Sequence, residues 1–107
     1  MDMVRFRVLR RPLSVRFDRR FAYRVPWHVD RSAPPVYRLV NTSRDVLRGV
    51  SVSVSGRARL RVSAPASVVP GGSVGATVSG PELERDTVMV VRWFQPDGRE
   101  YLWHVSF

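Results

Sequence analysis

Thr87-Val88-Met89-Val90-Val91-Arg92-Trp93-Phe94, Gln95-Pro96-Asp97-Gly98 and Arg99-Glu100-Tyr101-Leu102-Trp103-His104-Val105-Ser106-Phe107 follow one another at the end of the chain. Two runs rich in β-branched and aromatic residues flank a cluster suited to a turn. Proline presets φ for the second turn position, aspartate bonds its own backbone and glycine accepts positive φ. The stretch predicts a β-hairpin. Tyr101, Trp103, Val105 and Phe107 recur at every second position and share one face. Both faces of the first run are nearly apolar, which predicts a central strand.

The rest of the chain supplies partners for this pair. Gly80-Pro81-Glu82-Leu83-Glu84-Arg85-Asp86 reads as an acidic connection into the hairpin, preceded by a strand marked by Val74, Ala76 and Val78 and by the turn Pro70-Gly71-Gly72. Ser63 to Ser67 is a linker. Before it, Ala58, Leu60 and Val62 alternate with Arg57, Arg59 and Arg61, and the Val/Ser alternation from Val46 to Ser55, ended by Gly56, predicts a half-buried strand. Thr42-Ser43-Arg44-Asp45 is a turn after the strand Val36–Asn41, and Asp30 to Pro35 is a loop by composition. Towards the N-terminus, Val4, Phe6 and Val8 alternate with arginines until Pro12 intervenes. Leu13, Val15 and Phe17, then Phe21, Tyr23, Val25, Trp27 and Val29, mark a second strand region, and Pro26 within it predicts an edge position. No stretch carries a sustained helical period. Seven or eight short strands separated by turn signals predict an all-β fold, an antiparallel two-sheet immunoglobulin-like sandwich without helices.

From Tyr37 onward the chain resembles a known class. Leu39-Val40-Asn41, a polar turn, Leu47 with Gly49-Val50-Ser51-Val52, Val69-Pro70-Gly71-Gly72-Ser73 and the hairpin around Pro96-Asp97-Gly98 resemble bacterial immunoglobulin-like domains of the CARDB or NEW3 type. An L-x-N strand, a V-x-V strand and a proline-glycine segment before a strand recur in those domains. The resemblance covers about 70 residues and implies the sandwich; such modules bind or space other parts and share no active site, so it carries over no functional residue. Residues 1–30 do not follow the pattern and are read as an edge or strand-exchanged extension of the domain.

A chain of 107 residues fills one domain, and 44% hydrophobic residues suit a globular core. Without cysteine there is neither a disulfide nor a thiolate metal site. Arg10, Arg11, Arg16, Arg19 and Arg20 interrupt any signal-peptide stretch, and no window approaches a membrane span, so a cytoplasmic protein, free or within a larger particle, is the expectation. All 18 basic residues are arginine, with no lysine and no isoleucine, a habit of high-GC coding, so position tells more than number. Net charge is +6 over residues 1–31, +5 over 32–62 and −2 over 63–107. Charge concentrated in this way favours attraction to a polyanion or an acidic partner surface.

The residues that bear chemistry do not assemble into a catalytic set. No serine lies in a nucleophile elbow, and the two histidines, His28 and His104, fall on the parity opposite the larger apolar residues, as surface histidines do. Glu82, Glu84 and Asp86 read as a solubilising loop. Pro70-Gly71-Gly72 precedes a strand and lacks the helix N-terminus of a phosphate loop. Asn41-Thr42-Ser43 matches the glycosylation acceptor pattern and is read as a turn. The expectation is a non-catalytic protein without cofactor or metal. The sharpest candidates are Arg57, Arg59 and Arg61, which on a strand project from one side about 7 Å apart, with Arg5 and Arg7 extending the stripe if their strand lies beside it. Guanidinium forks suit carboxylates and phosphates. The leading expectation is an interaction or structural module binding an acidic protein surface or its own copies, as a component of a larger assembly. The alternative is a binder of nucleic acid or another polyanion, such as an anionic envelope polymer.

Overall fold

The computed structural model describes residues 3–7, 23–63 and 67–107. Among these, ten strands and one short helix occur in the order β1 (Met3–Arg7), β2 (Tyr23–Arg24), β3 (Trp27–Ala33), β4 (Val36–Asn41), β5 (Leu47–Ser55), β6 (Arg59–Ser63), β7 (Ser67–Val68), β8 (Ser73–Ser79), α1 (Leu83–Asp86), β9 (Val88–Phe94) and β10 (Glu100–Ser106).

The hairpin forms as its residues dictate. β9 and β10 pair without interruption from Glu100↔Phe94 to Ser106↔Val88. At the tip the Gly98 N–H donates to the Gln95 carbonyl at 2.8 Å, the Arg99 N–H donates to Asp97 Oδ1 at 2.9 Å, and Gly98 takes φ +85°. β9 lies between β10 and β5, the central place its two apolar faces require. Its inner residues Met89, Val91 and Trp93 are buried against Tyr101 and Val105 of β10. Trp93 stacks on Tyr101 at 5.7 Å and meets Trp27 of the opposite sheet edge-on at 6.0 Å, contacts worth about 0.5–1.5 kcal/mol each beyond their buried area.

Two antiparallel sheets enclose this core. One runs β2-β1-β10-β9-β5-β7 and the other β3-β4-β8-β6; without the two-residue strands β2 and β7, each has four strands, eight in all. β3-β4-β8-β6 facing β10-β9-β5 reproduces the A-B-E-D and G-F-C orders of a constant-type immunoglobulin sandwich, with β1 and β2 added beside the last strand. Leu39, Val74, Ala76 and Val78 fill the second sheet's inner face.

Several local expectations are corrected. A four-residue helix, α1, stands in the acidic connection; it is too short to leave a periodic signal. The loop expected at Asp30 to Pro35 shrinks to a turn at Pro34-Pro35, joined by a cis peptide bond, because β3 continues to Ala33 through a register shift between Asp30 and Ala33. The strand region expected to run through Trp27 breaks at Val25-Pro26. Val25, Pro26 and Trp27 are buried in succession, which no strand with one face in water permits, and there the chain passes from β2 in one sheet to β3 in the other. β3 is an edge strand, as Pro26 suggested. The expected strands before residue 23 and after Arg7 lie outside the described residues. β5 also departs from simple alternation: Leu47 and Val50 are both buried although three positions apart. A register shift between Arg48 and Ser51 reconciles them, with Gly49 at φ +56° under the Phe94 ring, where a Cβ would lie 2.7 Å from Cδ1. Among the described residues no helix is long and apolar enough to cross a membrane.

Candidate functional site

β6 closes one side of the β3-β4-β8-β6 sheet. Alternation places Leu60 and Val62 against the core and leaves Arg59 and Arg61 exposed on the outer face, opposite Ser79 and Thr77 of β8. Neither arginine makes an ion pair among the described residues. Among the described residues no strand covers the outer edge of β6 either. Ser63 Oγ accepts the Gly75 N–H at 3.1 Å and donates to the Gly75 carbonyl at 3.3 Å, so both polar groups of Gly75 face β6. In an antiparallel ladder these directions alternate, so Thr77 and Ser79 face β6 too, and the amides of Leu60 and Val62 point away from the sheet.

The opposite half of this face is balanced. Arg38 of β4 lies in register with Asp30 of β3. Hydrogen bonds from Ser32 hold the Asp30 carboxyl below its ordinary value, with Arg38 adding to the effect. Positive charge that faces no acid among the described residues therefore gathers at the β6 border.

Arg57 stands just outside β6 rather than within it, a correction to the expected three-arginine strand. Its Nε donates to Asp86 Oδ2 at 3.1 Å, and Asp86 Oδ1 accepts the Thr87 hydroxyl at 2.8 Å. The Thr87 hydroxyl first, and Arg57 second, hold the Asp86 carboxyl below its ordinary value of 3.8. The backbones are in close contact here. A Cβ on Gly56, at φ +100°, would sit 1.9 Å from the Asp86 carbonyl oxygen, and one on Gly80 would sit 2.5 Å from that of Arg57. A shallow open concavity of ≈ 470 Å³ results, lined by Gly56, Arg57, Ala58, Arg59, Ser79, Gly80 and Pro81.

Arg5 and Arg7 do not extend the stripe. β1 pairs with β10, with Arg5↔Leu102 and Arg7↔Glu100, in the sheet that does not contain β6.

The remaining candidates stay apart. His28 on β3 and His104 on β10 are both exposed and belong to different sheets. Of the acidic connection, Asp86 serves Arg57, Glu82 lies 4.0 Å from Arg85, and Glu84 is exposed. A larger groove of ≈ 580 Å³ lies on the other side of Gly80-Pro81, bordered by Arg31, Tyr37, Leu83 and Phe107. Two polar residues carry structural roles that alternation alone did not reveal. Asn41 is buried and fully hydrogen-bonded, and Glu100 is buried in an ion pair with Arg92, whose guanidinium lies over the Phe94 ring. For Asn41 the available signal is its position at the end of an apolar strand followed by two hydroxyl residues. For Glu100 it is an arginine eight positions earlier across a hairpin.

No family model, curated protein or solved structure matches this chain.

Proposed function

We propose that this protein is a non-catalytic interaction module of the CARDB or NEW3 immunoglobulin-like kind, a component of a larger assembly, which docks an extended acidic segment of a partner protein along β6. The observation that carries this reading is the coincidence, on one strand, of an open backbone edge with two exposed arginines that face no acid among the described residues. An added strand takes up the free amides of Leu60 and Val62. Its residues opposite Arg59 and Arg61 then stand about 5 Å away, within reach of guanidinium–carboxylate pairs. Alternate acidic residues, two positions apart, are what such a strand needs. The strand order, with β4 and β8 in the B and E places and β9 and β10 in the F and G places, supports the module class.

Fluorescence anisotropy with a labelled peptide of alternating Glu and Thr tests the proposal. The Glu peptide is expected to bind and its Gln counterpart to fail. Replacing both Arg59→Ala and Arg61→Ala weakens binding by roughly tenfold without altering the fold. If the Glu peptide fails and a single-stranded oligonucleotide binds instead, weakening steeply with salt, the polyanion reading takes its place.

A further inference from the structure

We propose that the concavity at the head of β6 is a seat for one oxyanion, a carboxylate or phosphate group carried by the segment that docks along β6. The seat itself rests on its own geometry; only the bearer of the anion rests on the docking reading. Arg57 and Arg59 line it together with Ser79, which stands in register opposite Arg59. Arg57 is held through Nε alone, by Asp86, which the Thr87 hydroxyl holds in turn. Its two Nη groups make no hydrogen bond among the described residues, so they stay available while Nε is engaged. Gly56 and Gly80 bring the backbone to the rim without side chains to fill the space. Two arginines against one aspartate leave the site with one positive charge in excess, and a planar fork beside a hydroxyl matches the two or three oxygens of such a group.

The neighbouring groove shows why the anion belongs here and not there. In that groove Arg31 Nη2 donates to the Ser106 carbonyl at 2.9 Å, and Arg85 lies beside Glu82 with Glu84 also on the wall, so its charges cancel.

The test is an amide NMR titration of the whole chain with sodium phosphate, with sodium chloride at equal ionic strength as the control and sodium acetate as a second arm. Saturable shifts of the Gly56, Ser79 and Gly80 amides are expected with phosphate and absent with chloride. Arg59→Gln, a change at an exposed side chain with no ion pair, weakens them about fivefold while the rest of the spectrum stays in place. Acetate acting as strongly as phosphate assigns the seat to an acidic side chain; phosphate acting alone assigns it to a phosphorylated one. Silent amides, or shifts that Arg59→Gln leaves unchanged, overturn the seat. If phosphate binds here but the Glu peptide does not bind, the docking reading falls and the seat stands; the reverse pattern does the opposite.

Discussion

At the scale of single residues, Asn41 does most to join distant parts of the chain. It is 1% exposed, and its amide is used at both ends. Nδ2 donates to the carbonyls of Asp45 at 2.8 Å and Val68 at 3.0 Å, while Oδ1 accepts the Ser43 N–H at 2.9 Å and the Ser43 hydroxyl at 2.7 Å. One side chain thus fixes the turn after β4 and ties it to β7. Asn41→Ala is expected to cost about 2–3 kcal/mol in urea unfolding, because buried carbonyls lose their donors. Asn41→Asp, although isosteric, costs more at neutral pH, since a carboxylate then faces those same carbonyls. Two glycines offer a controlled contrast. Gly71 has φ +79° with open space around it, so Gly71→Ala pays only the left-handed backbone penalty of about 1 kcal/mol. Gly56→Ala adds to that penalty a collision with the Asp86 backbone, and its unfolding midpoint is expected to fall well below that of Gly71→Ala. The Leu39-Val40-Asn41 pattern marked the position of Asn41 without its role, because a polar residue at a strand end looks like the start of a turn. Its burial depends on Val68, which no local pattern connects to it.

At the scale of elements, α1 is fastened to the β5–β6 turn by Asp86 and Arg57. The Asp86 carboxyl has its folded pKa depressed, so its contribution to stability is complete above the unfolded value and is lost as pH falls through the folded one. Asp86→Asn keeps the shape and removes the charge. Its deficit against the parent chain, followed by thermal unfolding in parallel, should be constant above about pH 5 and close progressively below about pH 4. Asp30 is depressed too, but it is common to both chains and cancels from the difference. The elements legible in the sequence are those whose own residues alternate over five positions or more. β4, β6, β8 and the β9–β10 hairpin are of this kind, and so was the outward placing of Arg59 and Arg61. Those that escaped are short or depend on remote partners: α1 has four residues, β7 has two, and the break between β2 and β3 follows from which sheet each joins. The candidate site was half visible for the same reason. Alternation supplied its arginines, but nothing local to Arg57 says that Asp86 and Gly80 close over it.

At the scale of the molecule, sequence alone gave two sheets and a central β9, but it could not choose a neighbour for the N-terminal strand. The answer is β10, antiparallel, with Arg5 opposite Leu102 and Arg7 opposite Glu100. This arrangement brings the start of β1 and the end of β10 to the same end of one ladder, and it determines how the molecule bears tension. A pull on the two ends acts across the strands and loads the β1–β10 hydrogen bonds one after another, like a zipper. A pull between the start of β1 and the hairpin tip at Gly98 acts along the strands and loads all of them together. Gly98 has open space around it, so a handle attached there meets no neighbour and costs only the left-handed backbone penalty. Single-molecule stretching is expected to open the ladder at a much lower force in the first geometry than in the second; equal forces would show that β1 does not bear the load. Tension applied through its two ends is therefore expected to open the domain early, so that it would yield as a compliant link rather than hold as a rigid strut.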